Sequence, residues 1–97
     1  MHPAKVHRDH LHDLTDLPNI GRAMAEDLRL LGVQRPEQLK DLDPLEMYVR
    51  LQAVTGKRQD PCVLDVFLSV IRFMNGEEPR SWWEYTRERK QMLESQR

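Results

Sequence analysis

The residues best placed to do chemistry stand together early in the chain, in Leu17-Pro18-Asn19-Ile20-Gly21-Arg22-Ala23. Pro18 stops any helix that precedes it. Asn19 accepts a left-handed backbone more readily than most residues with a side chain, and Gly21 lets the main chain pass close to a neighbour. The run reads as a tight turn followed at once by a helix start. Helix starts leave backbone N–H groups unpaired, and the helix dipole gathers partial positive charge there. An anion is stabilised at such a point. Pro18, Asn19, Ile20, Gly21, Arg22 and Ala23 therefore form a candidate phosphate site. The amides of residues 19–23 are the expected donors, and Arg22 adds a charge-assisted bond from the first turn. Such contacts grip a nucleic-acid backbone and read no base, so binding would not depend on sequence. Asp16, Glu26 and Asp27 flank the turn and oppose a phosphate wherever they share its face.

Other side chains carry weaker signals. Lys57 and Arg58, just after Gly56, form an exposed basic pair that would flank a phosphate groove. A solvated loop is the plainer reading of them. Trp82, Trp83 and Tyr85 are residue types that stack nucleobases. On one helix they cannot all face the same way, so packing is preferred, with one Trp in the core and the other at its edge. A half-exposed Trp there would also suit a dimer contact. His7, His10 and His12, with Asp9 and Asp13, have spacings compatible with a metal, but no further His or Cys closes a site. Cys62 sits at a helix start, where a thiol's pKa can fall. All four histidines lie within the first 12 residues, far from it in sequence, so burial as a small apolar residue is expected. No nucleotide-binding loop, zinc motif or carboxylate constellation stands out. Neither a cofactor nor an enzymatic activity is expected.

The chain that must position these residues has 97 of them, enough for one domain. Hydrophobic residues make up 39% and charged residues 32%, the mixture of a somewhat polar globular protein. A formal net charge of −1 excludes a strongly basic nucleic-acid coat while leaving room for a few aimed donors. One cysteine permits no intrachain disulfide, which suits a reducing, cytoplasmic compartment. Residues 1–16 carry no apolar leader stretch. No run approaches the ~20 apolar residues that span a bilayer, so no membrane role is expected.

Helical spacing organises the rest. Residues 1–13 are a polar, His-rich arm or weak first helix, and residues 14–97 form the domain. From Arg22 a helix runs to about Leu31, facing the core with Met24 or Ala25, Leu28 and Leu31, and Gly32 stops it. Pro36 opens a short helix with Leu39 and Leu42. Asp43-Pro44 caps and starts another, carrying Leu45, Tyr48, Val49 and Leu51. Asp60-Pro61 repeats the device for a helix to Met74. That segment is apolar nearly all round, which marks the central, most buried helix. Ser81 caps a last helix that becomes polar beyond Arg87 and is expected to be exposed or frayed. With no strand alternation anywhere, the fold is all-α, a small bundle of about five helices.

Residues 17–28, Leu17-Pro18-Asn19-Ile20-Gly21-Arg22-Ala23-Met24-Ala25-Glu26-Asp27-Leu28, resemble the helix-hairpin-helix family. Gly21 fills its second glycine position, Ala25 its small-residue position, and Asn19 stands where its first glycine would be. The wider chain resembles the bacterial pathogenicity-locus family, which also carries a mitomycin-resistance label. The resemblance rests on residues 17–33 with Leu39-Lys40-Asp41-Leu42, Met47-Tyr48-Val49-Arg50-Leu51, Asp60-Pro61-Cys62-Val63-Leu64-Asp65 and Pro79-Arg80-Ser81-Trp82-Trp83. It is similar, too, to the C-terminal domain of TfoX-type competence regulators. The resemblance implies one helix-hairpin-helix motif within the bundle and weak contact with DNA phosphates. The residues themselves leave a rival open, a protein-interaction or self-association module, such as a homodimer, without DNA binding.

Overall fold

Capping chemistry sets the helix boundaries. The computed structural model describes residues 1–96. Among these, four α-helices form: α1 (Arg22–Leu30), α2 (Pro44–Thr55), α3 (Cys62–Met74) and α4 (Thr86–Glu94). Four single 3-10 turns accompany them, at Pro3–Lys5, Leu14–Asp16, Pro36–Leu39 and Trp82–Tyr85. The expected count of about five helices thus becomes four. The segment opened by Pro36 stops after four residues, too few for an α-helix to repay its nucleation.

The Asp43 side chain accepts bonds from the amides of Leu45 and Glu46 at 2.9 and 3.3 Å, with Pro44 in the first helical position. Asp60 accepts from the Cys62 amide at 2.8 Å, but here Pro61 takes the cap position itself, so the expected Asp60 cap falls one residue before the cap of α3. At the end of α1, Gly32 adopts φ +87°, donates to Arg29, and lets the Val33 amide reach Leu28. This six-residue closure satisfies the last carbonyls of the helix. Gly76, at φ +109°, closes α3 with the same pair of bonds, to Phe73 and from Glu77 to Arg72.

The core is α3 and what covers it. Residues 64–71 and Phe73 are all buried, so the helix meets protein on every side, as its composition predicts. Leu14, Leu17, Ile20, Leu28, Leu39, Leu51 and Tyr85 close around it. Each fully buried Leu or Phe contributes about 1.5–3 kcal/mol. The expected inward positions Ala25, Leu28 and Leu31 of α1 are all buried. Leu42 and Val49 are not: Leu42 stands 37% exposed beyond the end of the Pro36 turn, and Val49 stands 56% exposed because Met47, Tyr48 and Leu51 form the inner face of α2.

Asp65 is the one charged residue buried within this core. Its carboxylate accepts from Arg89 Nε at 2.7 Å and from the Thr86 hydroxyl, both on α4. Arg72 reaches Glu88 on the same helix. The polar tail expected to be exposed or frayed is therefore clamped to α3 by charge, with Met92 and Leu93 packed against the core. The N-terminal residues also lie on the body. Arg8 stacks over the Phe73 ring at 4.0 Å and donates to the carbonyls of Phe73 and Glu77, both at 2.7 Å.

Removing one partner of a buried ion pair strands the other charge. Arg89→Met should destabilise the domain by about 3–5 kcal/mol. Asp65→Leu with Arg89→Met should recover most of that loss, since apolar replacement of both partners is often neutral. Urea unfolding followed by circular dichroism measures both. A double variant as unstable as the single one would refute this account of α4.

Candidate functional site

The turn at residues 17–21 is pinned from beneath. Leu17 and Ile20 are fully buried, and Pro18 is buried between them. Asn19, at φ +67°, is the only residue other than glycine in the left-handed region among those described. Its side-chain amide donates to Ser69 Oγ on α3 at 3.0 Å and to the Arg80 carbonyl at 2.8 Å. Its backbone amide donates to the Met1 carbonyl at 2.8 Å, and the Ile20 amide to Leu17 at 3.4 Å. The Met1 nitrogen in turn donates to the carbonyls of Leu17 and Ile20. Asn19 and Ile20 thus spend their donors inside the chain, which corrects the expectation that they face an anion.

The free donors lie one step further on. The first bond of α1 runs from the Ala25 amide to the Gly21 carbonyl at 3.0 Å. Gly21 offers no side chain to cap the helix, so the amides of Arg22, Ala23 and Met24 have no partner among the described residues. Gly21 itself has an extended backbone, φ −96°, that any residue can adopt, and a Cβ there would meet nothing within 4 Å. The expected close approach is made by no part of this chain. Gly21, Arg22 and Ala23 are all exposed.

The flanking carboxylates stand back from these amides. Asp16 accepts from the backbone of His12 and Asp13 at 2.9 and 2.8 Å. Those bonds, the Asp13 amide foremost, hold its carboxyl below the usual range. The first turn of α1 contains no acid. Glu26 and Asp27 lie beyond it, and partial burial, then Glu26, pushes the Asp27 carboxyl up.

Lys57 and Arg58 are exposed in the loop between α2 and α3. That loop is tied to α2 by Gln59, whose amide donates to Gln52 Oε1 at 3.0 Å and whose carbonyl accepts from the Tyr48 hydroxyl at 2.8 Å. Asn19 meets α3 at Ser69, about 10 Å along the axis from the Cys62 end where the loop enters, at 1.5 Å per residue. The basic pair therefore belongs to a separate patch.

A different neighbour joins the turn. Trp82 and Trp83 meet edge to face, 5.6 Å apart at 82°. Trp82 packs against the core and Trp83 is 61% exposed. The fully buried aromatic place goes to Tyr85 instead of either Trp. Between the two indoles, Asn19 and the His2-Pro3 segment lies a hollow of about 270 Å³. Periodicity gave no hint of this proximity, which depends on the Asn19–Arg80 bond bringing distant segments together.

The remaining candidates form no site. The His7 and His10 rings lie 5.9 Å apart, tilted at 53°, but among the described residues no three His, Cys, Asp or Glu gather closely enough to hold a metal ion. Burial, then a hydrogen bond to Asp60, pushes the Cys62 thiol up, so it stays protonated. A second hollow of about 340 Å³, between the end of α1 and the start of α2, carries Asp41, Asp43 and Glu46 against the single cation Arg50. Its charge repels phosphate.

A family model described as "Pathogenicity locus" matches residues 7–91. A protein of Streptomyces lavendulae, "Mitomycin resistance protein McrB", is 44% identical over 81 residues, covering 84% of this chain and 77% of that relative. No solved structure matches.

Asn19 holds the site together, and its two roles separate experimentally. Asn19→Ala loses both side-chain bonds, at about 0.5–1.5 kcal/mol each, and strains the left-handed backbone by about 1–2 kcal/mol. Asn19→Gly loses the bonds but keeps the conformation. The alanine variant should thus be the less stable of the two by about 1 kcal/mol or more in urea unfolding. Equal losses would show that the backbone conformation contributes nothing.

Proposed function

The chain belongs to the pathogenicity-locus family, and from that premise we propose that it is a non-catalytic DNA-binding module. It grips backbone phosphates at the start of α1, weakly and without sequence preference. Residues 17–33 act as a helix-hairpin-helix element whose first helix is reduced to the single turn Leu14–Asp16.

One observation carries it. The amides of Arg22, Ala23 and Met24 are unpaired, exposed guanidinium Arg22 stands beside them, and no carboxylate occupies the first turn. The open space over Gly21 favours the same reading. The fold has no use for a missing side chain there, whereas an approaching phosphate would. Lys57 and Arg58, on their separate patch, add only general attraction.

Neutralising two or three phosphates predicts that log K falls with log salt at a slope of about −2 to −3. Fluorescence anisotropy of labelled DNA at low salt measures it. Arg22→Glu should weaken binding at least ~10-fold and lower the slope by about one, since one phosphate contact is worth about 0.9. Lys57→Glu with Arg58→Glu should change the slope by less. No binding at about 100 µM protein, the weak end of non-specific affinities, would sink the proposal.

A second reading, a self-association module, is favoured by the outer face of α2. Val49 and Val54 stand 56% and 52% exposed, with Leu30 on α1 at 54%. Burying such residues in an interface releases about 25 cal/mol per Å². On this reading sedimentation shows a dimer at high micromolar concentration, and Val49→Glu dissociates it. A strict monomer there counts against it.

A further inference from the structure

We propose that the hollow beside Asn19 is a stacking site for an unpaired nucleobase. The domain then prefers single-stranded DNA, with one base against Trp83 and a nearby phosphate at the start of α1. This rests on the phosphate reading above and adds the kind of strand it takes.

Trp83 carries the inference. A tryptophan buries a large apolar surface when it can, yet this one is 61% exposed beside half-buried Trp82 and buried Tyr85. Trp82 is half-buried against the core and touches it at 82°, an edge contact that covers at most one indole face. The contact also holds the exposed ring in place, so a ligand meets a surface with little freedom left to lose. The hollow, about 270 Å³, lies just below the usual range for small-molecule pockets, about 300–1,000 Å³. That size suits one planar ring system.

Charge and distance select the rest of the ligand. Arg80, whose carbonyl receives Asn19, and Arg22 are both exposed and outside any ion pair among the described residues. No acid lines the hollow, and Glu84, next to Trp83 in the chain, accepts from the Ser81 amide at 3.0 Å. Asn19 borders the hollow and lies three residues before Arg22, so the edge of the hollow and the free amides are close along the chain. At 3.8 Å per Cα step the Cα atoms of Asn19 and Arg22 are at most about 11 Å apart. A flat, apolar ring linked to an anion at that spacing is a nucleotide of a strand. Within a duplex both faces of a base are already stacked, so only an unpaired base presents one to Trp83.

The chain's two tryptophans both line this site, so tryptophan emission, excited selectively over Tyr48 and Tyr85, reports on it. The full chain is titrated at low salt with oligothymidylate, a duplex of equal length, and an abasic strand that keeps the sugar-phosphate backbone. Oligothymidylate should quench the tryptophan emission and bind tightest. Trp83→Ala, at an exposed position, should weaken its binding roughly 5- to 100-fold. The same variant should leave the abasic strand within about twofold, as a phosphate grip alone would. Trp83→Phe should restore part of the loss. If the abasic strand binds as tightly as oligothymidylate, or Trp83→Ala changes neither, the stacking site is refuted while the phosphate grip stands. If no strand binds, both fall.

Discussion

Everything in this domain follows from one constraint: α3 is apolar nearly all round and cannot be left uncovered. Thirteen residues of such helix demand a layer in every direction. One layer comes from α2 through Met47, Tyr48 and Leu51, another from the 3-10 turns through Leu14, Leu39 and Tyr85. The last side contains a carboxylate, Asp65, that cannot be buried alone. Arg89 and Thr86 answer it from α4, which explains how a helix with so little apolar surface docks at all. Stability and topology meet at that point, because hydrophobic burial chooses no particular polar partner while the ion pair does.

The same constraint builds the candidate site. Covering α3 from the N-terminal side needs Leu17 and Ile20 buried on either side of a reversal. Asn19 makes the reversal and then bonds Ser69 on α3 and Arg80 before the tryptophans. The start of α1 is thereby aimed outward with its amides free. The segment bearing Trp82 and Trp83 is drawn beside it. The turn is a structural necessity, and the exposure of its donors and of Trp83 is a consequence that the fold does not itself require.

Much of this was legible in the residues and some was not. Local devices were readable because their causes are local. Gly32 ended α1, Asp43-Pro44 started α2, and the run from Cys62 to Met74 announced the central helix. Asn19 was readable as a left-handed position for the same reason. Its hydrogen bonds were not, since they join residues 50 and 61 positions away. Arg89 likewise looks like one more charge in a polar tail until Asp65 is known to be buried opposite it. The tryptophans lie on a 3-10 turn: Trp82 packs against the core, whereas Trp83 stands in solvent instead of at the core's edge. That turn sends Tyr85 inward and leaves Trp83 outside. Gly21 suggested a close approach that only a partner outside the chain can make.

Charge decides how these parts would work together. A net charge of −1 gives the domain no broad attraction for a polyanion. Three amides and two nearby guanidinium groups supply two or three phosphate contacts at most, an interaction that salt erodes quickly. On duplex DNA such a grip would be short-lived and indifferent to position. An exposed indole changes the balance, because stacking is insensitive to salt and available only where bases are unpaired. On the proposed reading, a weak field with one aromatic face would therefore discriminate between forms of DNA better than a strongly basic surface. The basic surface binds every form through the charge they share, whereas here the term common to all forms is small and the term that differs is comparable to it.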